Sequence, residues 1–496
     1  MGSTIKKIVV VGSDFDAWLS AFALQVAFKN VISGFQVELV ELPSRLSPQD
    51  VLVTLPSHKA LLESLGINET QILKAARGSC SQAQCFSGWS DERGSFFHPY
   101  DSHGMKIEGV DFLQCWIKGK INGLDVELEN FSLGTAAAKK GACVIHSEKS
   151  AGFSQAVRGY HLSALNYTRA IGKAAIQSGV SHRRTGSIKK VHFNEEVISS
   201  ITTDGGCEIV ADLFIDASGD RRALIGECSK SIFQDWGDLF PCDKRITCDA
   251  PPLTPIPAYS RIAAFAEGWV GVYPLMNRTA ISVSFSTRYI SPEGALEKAN
   301  KLLGVGVTNP VLIDSNYGVL EKPWIGNCVA VGDAAVMLDH IDAVHTSILN
   351  AGLSYLIELM PTCKDSVVES KFYNEKLRNQ AILTRDFQLA HYKLNQRCSD
   401  PFWVACQKVD APELLQYKID LFSDSGRVAI AEGETFLEEN WASILVGHGV
   451  VPKKYSGLVD NFPDRNLVLT FQEILKTINE EVEEFPSMST YLEMLG

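Results

Sequence analysis

The chain has 496 residues, 45% of them hydrophobic, and a formal net charge of -12 at neutral pH. That length carries two or three domains, or one large α/β domain with additions, and the apolar content builds a sizeable core. The acidic balance excludes nucleic acid and anionic membrane as main partners, and no run approaches the roughly 20 apolar residues that span a bilayer.

Residues 7–11 (KIVVV) form a run of β-branched residues that leads directly into Gly12, the pattern of a strand and not of a secretion signal. Residues 14–29 then place Trp18, Phe22, Leu24, Val26 and Phe28 at helical spacing, and "QVELVE" follows as a second strand ending on Glu41. This β–turn–α–β order has the size of a mononucleotide-binding unit. Further on, residues 163–180 read as a helix, "GSIKKVHF" and "EEVISSITTDGG" as a hairpin, and "ADLFIDASG" as a strand. Residues 260–290 alternate as strands, "NCVAVGDAA" is a strand leading into a helix at 343–360, and helical patterns dominate from about 365 onward. The 12 cysteines contain no CxxC pair, and Cys80 and Cys85 lack metal-ligand spacing. They are expected as reduced, mostly buried thiols of a cytoplasmic protein without a metal site.

The turn after the first strand raises a chemical question. A dinucleotide turn wants glycine for the tight turn, for close approach to the diphosphate and for helix–strand packing. Here those positions hold Gly12, Asp14 and Ala17, with Ser13 between the first two. Alanine is accepted at the packing position, but Asp14 puts a carboxylate where phosphate should lie, at a helix N-terminus that would otherwise attract an anion. With no phosphate there, Asp14 is expected to fold back and cap the N–H groups of its own turn. Glu41 stands where an acidic residue accepts from ribose hydroxyls, or simply ends a strand. Gly332 and Asp333, closing a late strand before a helix, fit a segment that holds a ribityl chain and diphosphate; an Asp helix cap is the other reading.

Together these pieces resemble the flavin-dependent tryptophan halogenases. The likeness runs over nearly the whole chain, through "ADLFIDASGDRRALI", "IPAYSRIAAFAEGWVGVYPLMNRTAISVSFSTRYIS", "NCVAVGDAAVMLDHIDAVHTSI", "RDFQLAHYKLNQRCSDPFW" and "FSDSGRVAIAEGETFLEENWASILVGHGVVP". The resemblance implies an α/β, two-domain flavoprotein: a Rossmann-like FAD-binding fold with an interleaved β-sheet substrate domain and a helical C-terminal region. The corresponding boundaries are 1–365, with substrate-side stretches at about 77–150 and 230–320, and 366–496. It implies FAD, supplied reduced by a separate flavin reductase. The reduced flavin reacts with oxygen to a hydroperoxide that halide attacks, and hypohalous acid travels to an aromatic substrate beside a lysine and a glutamate.

The chain departs from that pattern where the chemistry lies. The lysine position in "RGSCSQAQCFSGW" is Ser81, and a hydroxyl cannot replace an ammonium. The glutamate position is Asp342, and the small halide turn after it is Ala343, Val344 and His345. The Trp-x-Trp-x-Ile-Pro signature is reduced to Trp269, Gly271, Tyr273 and Pro274, and the loop at 48–59 has no glycine. His98, Pro99 and Tyr100 match the family's substrate-side His-Pro-aromatic, or pack as an ordinary loop. His161 and His391 read as core or surface helix residues, not ligands.

Two functional expectations follow. One is a divergent halogenase-like protein with canonical halogenation lost and FAD binding weak or absent, acting through binding, as partner to an active paralogue or as a homodimer. The other is an active FAD-dependent oxidoreductase, monooxygenase or halogenase taking an indole-like small molecule. Whether the chain is an enzyme is left open between them.

Overall fold

The computed structural model describes residues 5–145, 157–361 and 367–495. The chain folds into two compact units, each assembled from three separated stretches. One comprises Met1–Arg77, Leu162–Asp238 and Asn316–Leu383; the other comprises Gly78–His161, Leu239–Ser315 and Thr384–Gly496.

The first unit is built on a sheet of β1 (Lys7–Gly12), β2 (Gln36–Glu41), β3 (Ser181–Arg184), β4 (Leu213–Ala217), β5 (Trp324–Ile325) and β6 (Cys328–Ala330). In space the order is β5-β6-β4-β1-β2-β3, and every pairing except β5–β6 is parallel. Val9, Val10 and Val11 are buried, as expected of a strand covered on both faces. The helices α1 (Asp14–Phe28), α2 (Ala164–Ser178) and α3 (His345–Glu358) belong to this unit. α1 lies close against α2: a Cβ added to Gly172 would stand 3.1 Å from the Trp18 ring. The sheet changes direction of growth beside β1, with β2 on one side and β4 on the other, which is where open α/β sheets form a ligand crevice.

Gly12 is required here by proximity. An added Cβ would stand 2.1 Å from the Ala217 carbonyl oxygen of the neighbouring strand. The hairpin read from the sequence is present as the antiparallel strands Ile188–Asn194 and Val197–Thr203.

The second unit carries a seven-stranded sheet that runs from the edge strand Thr308–Asp314 to Phe96–Pro99, with Ser260–Phe265, Gly268–Pro274 and Thr279–Phe285 inside it. Ile246, Val270, Val283 and Phe285 pack with Ala295 and Ala299 of the helix Pro292–Leu303. The small alanines let this helix lie close to the sheet. Among the described residues, no helix is long and apolar enough to cross a membrane.

Candidate functional site

The first turn of α1, the loop after β2 and the exits of β4 and β6 meet at the carboxyl ends of the parallel strands. Asp14 opens the helix with φ 63°, a left-handed conformation that glycine adopts freely and other residues at a cost. Its carboxylate does not cap its own turn, contrary to the sequence expectation. Instead it accepts from the Arg45 backbone N–H at 3.0 Å and from the Ser44 hydroxyl. The reason is reach: the loop after β2 presents two donors side by side across the turn. Ser13, at the cap position, makes no side-chain cap bond. The same loop is tied to the β4 exit, where Arg45 pairs with Asp220 and Arg221 donates to the Pro43 carbonyl at 3.2 Å.

Asp16, which the sequence reading passed over, faces the other side of the turn. One oxygen accepts from His345 Nε2 at 2.9 Å, and the other from the Asp333 backbone N–H at 3.3 Å. His345 Nδ1 donates to Asp333 Oδ1 at 2.9 Å, so the imidazole lies between two carboxylates. Burial opposes charge on this ring, but Asp16 and Asp333 outweigh it and hold the His345 pKa well above the ordinary value. Gly332, with φ 57°, has no Cβ, and an added one would stand 2.0 Å from Asp16 Oδ2. The absent side chain is what admits the carboxylate. Two acids within a single helix-opening turn, Asp14 and Asp16, were the available sequence signal for Asp16.

Glu41 is held by the protein itself. Oε1 accepts from Trp18 Nε1 at 3.1 Å, and Oε2 interacts with His182 Nε2 and Arg184 Nε, each at 2.8 Å. Burial raises its pKa and these donors together lower it, with a net shift downward. Ala17 is fully buried behind the turn.

Ala343 and Val344, which the resemblance places in the halide turn, are buried, with Ala343 at φ 59°, and Asp342 is fully enclosed. His345 begins α3 and turns its ring to the aspartates. Nearby in this unit, His58 bonds Tyr167 Oη at 2.7 Å, and Phe15 lies against both rings. Burial pushes His58 down to about 4.

In the second unit, Ser81 is buried in the short strand Ser79–Ser81. Its hydroxyl donates to the Ala83 carbonyl at 3.1 Å and lies 3.5 Å from Ser260 Oγ. His161 Nε2 meets that same Ser260 hydroxyl at 2.7 Å, while Nδ1 lies 3.2 Å from both Ser79 Oγ and the Pro274 carbonyl. His161 is fully buried in the strand Gly159–Ser163, a core residue as one of the two expectations had it, and burial lowers its pKa to about 4. Trp269 is fully buried and donates to Tyr392 Oη at 2.8 Å. Gly271 leaves room for the Tyr273 ring, whose hydroxyl would lie 2.3 Å from an added Cβ. His98, Pro99 and Tyr100 lead out of a strand. The His98 ring packs with Phe387 and Phe436 and lies 3.3 Å from Asn440 Nδ2.

The comparisons agree with this architecture. Residues 7–464 match the tryptophan halogenase family. Tryptophan 7-halogenase KtzQ of Kutzneria sp. (strain 744) is 23% identical, with 99% of this chain and 98% of that protein covered. Tryptophan 7-halogenase RebH of Lentzea aerocolonigenes is 22% identical, with 99% of each covered. The solved structure of BrvH, a flavin-dependent halogenase from Brevundimonas sp. BAL3, superimposes with a TM-score of 0.93 at 26% identity over 99% of both chains. This chain belongs to the tryptophan halogenase family.

Proposed function

We propose that this chain is a halogenase-family scaffold that has lost ordinary halogenation and binds FAD weakly or not at all. The observation that carries the reading is the pair of carboxylates in the first turn of α1. Asp14 bonds to Ser44 and Arg45, and Asp16 bonds to His345 and Asp333. FAD is the cofactor the family resemblance supplies, and its diphosphate would bring negative charge to this turn. Like charges about 4 Å apart repel by roughly 1–4 kcal/mol at the dielectric of water or a protein surface. Glu41, the group suited to ribose hydroxyls, is already held by Trp18, His182 and Arg184. The residues present do not fit a flavin diphosphate.

The substrate-side chemistry points the same way. Ser81 offers a buried hydroxyl where the resemblance places an ammonium, and His345 replaces a glycine. On this reading the retained activity is binding, with an active paralogue or a flavin reductase as the kind of partner. The second reading is an active FAD-dependent enzyme on an indole-like ring; Gly12 and the Gly332–Asp333 pair favour it.

Flavin titration separates the two. The purified chain should be colourless, and oxidised and reduced FAD should bind at least about tenfold more weakly than to Asp14→Gly, a difference of about 1.4 kcal/mol. Given reduced FAD, oxygen and chloride or bromide, it should yield no single halogenated tryptophan isomer by mass spectrometry. Stoichiometric flavin on the purified chain, or one chlorinated isomer, overturns the proposal.

A further inference from the structure

The geometry points to a divalent-cation site formed by Asp16, Asp333 and His345. Each contributes one ligand-type atom, and these atoms all lie within 4.8 Å of one another. Ligands about 2.1 Å from a shared tetrahedral zinc-type ion stand about 3.4 Å apart, so closing the site takes side-chain shifts of up to about 1 Å. The three residues come from separate elements: the first turn of α1, the short helical turn Gly332–Ala334 and the start of α3. The site is therefore assembled by the fold, with Gly332 providing the clearance for Asp16.

The donor set selects the ion. Two carboxylates and an imidazole suit a borderline first-row cation such as Zn2+ or Co2+, whereas Mg2+ and Ca2+ prefer oxygen alone. Charge favours a cation too, because two aspartates face a single imidazole. The Asp333 side chain is 40% exposed, so water has access to the remaining coordination positions. In the structure the imidazole occupies the place between the carboxylates. Both ring nitrogens donate there, so binding an ion releases one ring proton to solvent, and the metal takes the place of a hydrogen bond already made.

The site shares Asp16, Asp333 and His345 with the turn that the functional reading finds unsuited to flavin, so it is tested on the full chain without flavin. Zinc chloride is titrated calorimetrically, and cobalt chloride is followed by its visible absorption bands. The expected result is saturable binding of one ion per chain, weakened at least about tenfold in Asp16→Asn and in His345→Gln. Asp333→Asn, at the more exposed corner, is a second-site check should Asp16→Asn fold poorly. Cys207 and Cys398 are exposed thiols, so binding must survive Cys207→Ser and Cys398→Ser. Absence of saturable binding overturns the site, as does binding unchanged in folded Asp333→Asn and His345→Gln or lost with the cysteines. The flavin titration is read separately: tight FAD binding with an intact metal isotherm overturns the functional reading and leaves this site standing.

Discussion

Asp14 holds a left-handed backbone at the start of α1 and recovers part of that cost through Ser44 and Arg45. Glycine at this position would remove the strain and the bonds together, whereas alanine would keep the strain and lose the bonds. Asp14→Ala should therefore unfold more readily than Asp14→Gly, by about 1 kcal/mol in urea titrations. Equal stability of the two variants would mean that the φ of Asp14 carries no cost. Ser81 poses a related problem of space. It is fully buried beside Ser260 and His161, so Ser81→Lys forces an ammonium into an enclosed hydroxyl network. That substitution should lower the melting temperature, consistent with a penalty of several kcal/mol for a buried ion, and should not restore halogenation. A stable Ser81→Lys variant that chlorinates tryptophan would show that the lysine alone was missing.

At the level of elements, β1 and β4 approach closely because Gly12 has no side chain. Gly12→Ala would drive a methyl against the Ala217 carbonyl, with no flexible side chain there to give way. The expected loss is about 1–3 kcal/mol or more, the range of overpacked interiors, measured by thermal melts. A melt unchanged from the parent would mean that β4 can move aside. The turn, the helix and the second strand were legible from local pattern, since apolar periodicity and one glycine suffice to specify them. The side-chain partners were not. Asp14 reaches across to residues 44 and 45, so the self-capping expectation failed on a contact outside its own element.

Across the whole molecule, buried neutral histidines set the response to acid. Burial lowers His58, His103 and His161 to about 4 and His391 to about 3, and it holds His448 well below the ordinary value. His345 works in the opposite direction: burial opposes its charge, but Asp16 and Asp333 raise it, so its contribution is lost as pH rises and not as pH falls. Each buried histidine is neutral when folded and takes up a proton near pH 6.5 when unfolded. Between those values the unfolded chain binds more protons, so stability falls as pH drops from about 6.5 toward 4. Above that window the contribution is fully present and flat. Melts at pH 7.5 and pH 5 should differ, with each histidine costing on the order of 1 kcal/mol at the lower pH. Replacing His103, whose resolved partner is the Ser443 hydroxyl, by glutamine should reduce that sensitivity. A pH-independent melting temperature from 7.5 to 5 contradicts the argument.

The sequence by itself determined the family and the nucleotide-type opening unit, and it marked the positions where the resemblance expects other residues. Strand, turn and block order are written in neighbouring residues, and the substitutions at Asp14, Ser81 and His345 can be read one position at a time. Only the tertiary structure decided what the substituted residues do. Asp16 and His345 stand 329 positions apart, and their ion pair exists because the parallel sheet brings the first turn of α1 against the start of α3. The same distance in sequence hides the donors that hold Glu41, since β2 and β3 pair across more than a hundred residues. Local pattern is a property of the chain. Charge compensation is a property of which chain segments meet, and that depends on packing no single segment encodes.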